Sequence, residues 1–138
     1  MSRIFFYGLF MDRALLIEKG LHPETIGAAA LADYRIHIGQ RATLIPSASS
    51  RAFGVLMELS EQEAQALYSD PSVRAYKREL VQVTLLATNE VVEAYCYNLP
   101  LELGMTGSNP AYATKLLRLV RSLEFDSEYA RGIALFER

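Results

Sequence analysis

The sequence predicts an α+β domain, a mixed sheet or small β-barrel with flanking short helices, and three observations predict it. Short apolar or alternating runs dominate the first two thirds of the chain, no regular helical crossovers separate them, and the longest amphipathic helical pattern falls near the C-terminal end. The absence of crossovers disfavours a doubly wound sheet. The 138 residues suit one domain, 1–138, with no internal repeat, linker or low-complexity stretch. A composition 51% apolar and 22% charged excludes a disordered chain, which cannot bury enough apolar surface to offset its ordering entropy.

Residues 3–7 (RIFFY) form an aromatic and β-branched run stopped by Gly8, which reads as a buried first strand. Asp12 is placed to cap a short helix, and Gly20 supplies a left-handed stop. Between residues 26 and 45 alternation over Tyr34, Ile36 and Ile38, then Gly39, then a run ending at Pro46, predicts two strands and a turn. Residues 51–59 (RAFGVLMEL) predict a separate strand in which Gly54 marks a bulge or a close backbone approach. Ser60-Glu61-Gln62-Glu63 has the Ser-x-x-Glu pattern of a capping box, starting a helix that ends near Tyr68. Val81, Val83 and Leu85 alternate with polar residues and, after a turn at residues 88–90, residues 91–97 complete a β-hairpin. Residues 99–108 read as a loop. Asn109 before Pro110 caps a helix whose apolar face carries Tyr112, Leu116, Val120 and Leu123, and a last short helix starts at Ser127.

Charge and motif content narrow the function. Fourteen basic against sixteen acidic residues give a formal charge of -2, so no basic excess favours nucleic acid. The N-terminal apolar run is too short for a secretory signal, and no run approaches the roughly 20 apolar residues of a membrane helix, so a cytoplasmic protein with no membrane partner is expected. Two histidines and one cysteine, none at ligand spacing, predict no metal, and the glycine-rich phosphate motifs are missing, so no cofactor is expected. Cys96, between Tyr95 and Tyr97, reads as a small buried hydrophobe.

Three features carry chemistry. The turn Tyr7-Gly8-Leu9-Phe10-Met11 has a glycine that lets successive backbone N–H groups point outward and accept a carboxylate; on this stretch alone an ordinary strand-to-helix turn with an apolar plug is the simpler reading. Asp70, before Pro71 and near Tyr76, is a candidate proton carrier if partial burial raises its pKa; Asp before Pro is also simply a turn former. Glu93, Tyr95 and Tyr97 share one face of their strand, as a pocket wall or as an exposed sheet face.

Taken in order, these features resemble the gamma-glutamylcyclotransferase-like family, which includes the plant AIG2-like proteins. Phe6-Tyr7-Gly8-Leu9-Phe10 stands where the family has a strand running into Tyr-Gly-Ser-Leu, with Leu9 where Ser is usual. Phe53-Gly54-Val55, the helix from Ser60 to Leu67, and Tyr76-Lys77-Arg78 are similar to the middle block, and Asn109-Pro110-Ala111-Tyr112 with Tyr129 to the ending. The resemblance implies a mixed β-barrel with a pocket at the first turn, and a reaction without metal or cofactor that releases 5-oxoproline from a γ-glutamyl amine or dipeptide. It implies substrate contacts from Tyr7, Gly8, Leu9, Phe10, Tyr76 and Tyr97. The family's catalytic Glu follows Leu-Asp-x-x; counting from Leu67 puts Pro71 there, and a shift of one residue brings Asp70 to the position as an altered acid/base group. A diverged domain that binds an amino-acid-like ligand without turnover is the alternative, and a protein-interaction module using residues 99–107 a third. Oligomeric state and substrate stay open.

Overall fold

The computed structural model describes residues 1–138. In chain order the elements are β1 (Ser2–Phe6), α1 (Arg13–Glu18), β2 (Glu24–Ile38), β3 (Ala42–Leu59), α2 (Glu61–Leu67), β4 (Lys77–Leu85), β5 (Val91–Asn98), α3 (Leu101–Gly104), α4 (Pro110–Ser122) and α5 (Ser127–Ala134), with single 3-10 turns over Leu9–Met11 and Leu135–Glu137. The strands close into a barrel in the order β1-β3-β2-β4-β5. No helix is long and apolar enough to cross a membrane.

The pairing is uneven. β1 lies antiparallel to β3 from Ser2↔Leu59 to Phe6↔Val55, and β2 pairs with β3 along nearly its whole length. β4 and β5 make the expected hairpin, from Lys77↔Asn98 to Thr84↔Val91. These two ribbons meet at only two pairs between β2 and β4, Ala29↔Leu85 and Ala30↔Thr84, and at one parallel pair between β1 and β5, Ile4↔Tyr95. The barrel is therefore closed by thin seams.

β3 differs from expectation in running unbroken past Pro46. Between Ala32 and Tyr34 the register of β2 against β3 shifts, so that residues 47–50 bulge opposite Asp33. Asp33 and Ser49 both take positive φ, and the Ser49 N–H donates to the Asp33 carboxylate, which fixes the bulge without ending the strand. Residues 101–104, expected as loop, form the one-turn helix α3.

One continuous core fills the barrel and the space under α4. Ile4, Leu56, Leu59, Val83 and Cys96 are fully enclosed, and Leu116, Val120 and Ile133 bring in α4 and α5. Each such side chain contributes about 1.5–3 kcal/mol by leaving water. The α4 face matches the predicted spacing at Leu116 and Val120 but continues through Ala113 and Leu117; Leu123 is the C-cap and stays exposed because the helix ends there. The other caps are as read: Asp12 accepts from the Ala14 N–H, Ser60 and Glu63 exchange both bonds of the capping box, and Asn109 accepts from the Tyr112 N–H. Gly54 sits where β3 passes close against β1, with the Phe6 carbonyl oxygen 2.3 Å from the place a Cβ would occupy.

Candidate functional site

At one end of the barrel the turn after β1 faces the segment after α2 across a cavity of about 350 Å³, within the range of small-molecule sites. Its shape follows from local structure. Tyr7 follows β1 directly and is buried, and its hydroxyl donates to the Tyr97 carbonyl of β5 over 2.6 Å. Gly8 then lets the chain pass under α4: a Cβ there would lie 2.6 Å from the Tyr112 hydroxyl, to which the Leu9 N–H donates over 3.4 Å. Phe10 turns inward and meets both Phe6 and Tyr68 edge to face at 6.0 Å.

Tyr68, the C-cap of α2, is the hub of the opposite wall. Its ring stacks on Tyr97 with centroids 3.7 Å apart and planes 5° from parallel, and it leans against Tyr76 at 6.3 Å. The Tyr76 hydroxyl donates to the Ala42 carbonyl, tying the segment before β4 to the start of β3. The tip of the β2–β3 hairpin is pinned in turn, because the Gln40 N–H donates to the Thr106 carbonyl and the Asn109 side-chain amide donates to the Gln40 carbonyl. Arg41 is thereby held at the cavity edge, its guanidinium donating to the Ser72 carbonyl over 3.3 Å and lying 6.0 Å from the Tyr76 ring centre. Lys19, the C-cap of α1, is the other charged wall residue; no Asp or Glu lines the cavity.

The phenols are strongly shifted. Burial pushes Tyr7 and Tyr68 well above the ordinary value of 10.0, with Cys96 and the neighbouring tyrosines adding to it. Burial likewise raises Tyr76 and Tyr97, and takes Tyr112 up to about 12 against the Leu9 N–H, which lowers it. All five are neutral at pH 7 and offer ring faces and hydroxyl oxygens rather than charge, the Tyr7 and Tyr76 O–H groups being already donated to backbone carbonyls. A linked effect on stability follows. The folded protein keeps phenol protons that the unfolded chain releases near pH 10, so this contribution is whole below pH 10 and is lost as pH rises through the higher folded values. Melting temperature measured from pH 8 to 11.5 is expected to fall beyond about pH 10, and an unchanged value through pH 11 contradicts that.

The structure brings Tyr7, Gly8, Leu9, Phe10, Tyr76 and Tyr97 to one cavity, and it places Asp70 outside the wall. The Asp70 carboxylate is exposed and accepts from the Ser72 hydroxyl at 2.7 Å and the Ser72 N–H at 2.9 Å. Those bonds hold its pKa below the usual carboxylate value, hydroxyl first, with Lys19 adding a smaller push. The raised pKa expected from burial is thus corrected: the turn faces water, and both hydrogen bonds favour the charged form. Glu93 and Tyr95 lie away from the cavity, beside Ser2, Arg3 and Glu58, and do not join Tyr97 in its wall. Cys96 points into the core with its thiol pKa raised by burial, which makes it inert. No group of three or more His, Cys, Asp or Glu side chains is placed to hold a metal ion.

Sequence reasoning missed Tyr68, Tyr112, Lys19 and Arg41. Each sits at a helix end or turn, where no periodicity says which way a side chain points; only the helical spacing of Tyr112 with Leu116 marked its inward direction.

Residues 4–119 match the family described as gamma-glutamyl cyclotransferase, AIG2-like. No curated protein matches the sequence. Among solved structures, a protein described as gamma-glutamyl cyclotransferase superposes with a TM-score of 0.78 at 16% identity, over 99% of this chain and 88% of that one. An uncharacterized protein from Homo sapiens gives 0.74 at 17% identity, over 99% and 88%. YkqA from Bacillus subtilis gives 0.79 at 17% identity, over 99% of this chain but 54% of its own, so this chain spans about half of that protein. Identities this low speak for a shared barrel.

Proposed function

Because the chain belongs to the gamma-glutamyl cyclotransferase, AIG2-like family, we propose that its tyrosine-lined cavity takes up a small γ-glutamyl or amino-acid-like compound and holds it without cyclising it. The observation that carries this reading is the cavity wall itself, which offers phenol hydroxyls, aromatic faces and two cations but no carboxylate. Cyclisation needs a base to take the proton from the ligand's α-amine, and neutral phenols with raised pKa values are poor bases at pH 7.

A second reading is favoured by one observation. Asp70 fixes Ser72, a cavity-lining residue whose carbonyl also binds Arg41, so the Asp70 carboxylate stands beside the edge of the cavity. Here Asp70 accepts one proton of the α-ammonium, the freed amine attacks the γ-carbonyl and gives up a second proton as the γ-amide C–N bond breaks, and both protons leave on the departing amine as its ammonium, giving 5-oxoproline. A near-attack geometry can supply about 7–11 kcal/mol of such an intramolecular barrier, so little further machinery is required.

The test is one panel of γ-glutamyl dipeptides and γ-glutamyl amines, followed both by melting temperature and by 5-oxoproline release. Binding alone predicts a raised melting temperature, about 2.7 kcal/mol of stabilisation at a hundredfold excess over Kd, with no product. Product that disappears in Asp70→Asn replaces the binding reading with the catalytic one. A panel that neither stabilises the protein nor yields product overturns both.

A further inference from the structure

The hollows of this molecule differ in their charge. Between the β2–β3 bulge and α5, Arg35 and Arg51 face a space that Asp126 and Glu128 also line. At the N-terminus Arg3 pairs with Glu58 at 3.8 Å and Glu93 stands beside them. The tyrosine-lined cavity has Lys19 and Arg41 and no acid in its wall, and neither cation makes an ion pair within the protein.

Both cations line the cavity. Arg41 binds the Ser72 carbonyl, and Lys19 acts electrostatically on Asp70, two residues earlier. Ser72 and Val73 of the 70–73 turn line the cavity with them, and the rings of Tyr68, Tyr76 and Tyr97 supply its uncharged surface, the Tyr76 ring centre 6.0 Å from the Arg41 guanidinium. Asp70 is the one acid of that turn; it lies outside the wall and its Oδ1 accepts both Ser72 hydrogen bonds. A ligand entering here meets two cations that make no ion pair within the protein, beside a largely aromatic surface.

We infer that the cavity selects ligands that carry a carboxylate to the Lys19–Arg41 edge, so that γ-glutamyl dipeptides, with their second carboxylate, are taken in preference to γ-glutamyl amines. This rests on the reading of the cavity as a γ-glutamyl site and adds the choice between its two ligand classes. A half-buried guanidinium that already holds a carbonyl is preorganised for a second, charge-assisted bond, whereas the exposed Lys19 ammonium is screened and contributes less.

Two compounds that differ by one carboxylate make the comparison: γ-glutamylglycine and γ-glutamylmethylamide, titrated calorimetrically against the full chain. Arg41→Gln keeps an N–H donor for the Ser72 carbonyl while removing the charge, and its ligand-free melting curve reports whether the fold is intact. The expected result is binding of γ-glutamylglycine about tenfold tighter than the methylamide, a preference that shrinks with added salt and approaches unity in Arg41→Gln, with a smaller loss in Lys19→Gln. Equal affinities in the unmodified protein, or a preference unchanged when both cations are removed, overturn the inference. Glutarate separates the two levels of argument if neither γ-glutamyl compound binds. Glutarate binding that weakens in Arg41→Gln sustains the anion-selective edge and discards the γ-glutamyl reading alone; no glutarate binding discards both.

Discussion

Gly54→Ala is expected to destabilise the protein by about 3 kcal/mol or more, lowering its melting temperature by roughly 10 °C, because the clash it creates is with backbone. The new Cβ would lie 2.3 Å from the Phe6 carbonyl oxygen and 2.8 Å from two carbons of the Phe5 ring. The Phe6 carbonyl is fixed by the β1–β3 ladder, where Phe6 pairs with Val55, so relief requires moving one strand away from the other. A loss of this size is a large part of the 5–15 kcal/mol typical of a domain. Gly132→Ala supplies the opposite control. Gly132 lies inside α5 with nothing within 4 Å of its Cβ position, so the same substitution is expected to stabilise by about 0.5–1 kcal/mol through helix propensity. Thermal melts of the two variants should move in opposite directions; a neutral Gly54→Ala would show that β1 and β3 are not held as close as described.

The second large effect concerns ligand. Tyr68→Ala is expected to reduce the affinity for γ-glutamylglycine about 30- to 100-fold, since it removes the ring that stacks on Tyr97 and contacts Phe10 and Tyr76. Tyr68→Phe keeps those ring contacts and should remain within about threefold of the unmodified protein, the worth of at most one modest hydrogen bond. Calorimetric titration of both variants, with ligand-free melting curves, separates a lost wall from a lost fold. Undiminished binding in Tyr68→Ala would move the site elsewhere.

Much of the fold was legible because local rules and tertiary packing agree. The capping box at Ser60 and Glu63, the Asp12 and Asn109 caps, the hairpin of β4 and β5 and the close approach at Gly54 each follow from a few neighbouring residues, and all are found. β3 was harder to read because residues 47–50 (SASS) are small and mostly polar, with no large apolar residue to mark them as strand; the bulge opposite Asp33, a pairing between distant residues, is what carries the chain through. The cavity was legible in half. Tyr7, Gly8, Leu9 and Phe10 are contiguous, so one turn announces them. Tyr68, Arg41 and Lys19 come from three separate elements and meet only after the barrel closes. Asp70 shows the same limit, since the sequence places a carboxylate on a turn but does not say which way the turn faces.

The thin seams give the barrel a mechanical character. It consists of two ribbons, one of β1, β3 and β2 and one of β4 and β5, joined by short ladders at Ala29 and Ala30 on one side and latched at Ile4 and Tyr95 on the other. The bond from the Tyr7 hydroxyl to the Tyr97 carbonyl is the clasp on that latch, and Tyr7 and Tyr97 both line the cavity. A molecule seated there rests on both ribbons at once and splints the opening between them. A ligand in the cavity would therefore bridge the β1–β5 edge, where Tyr7 and Tyr97 meet.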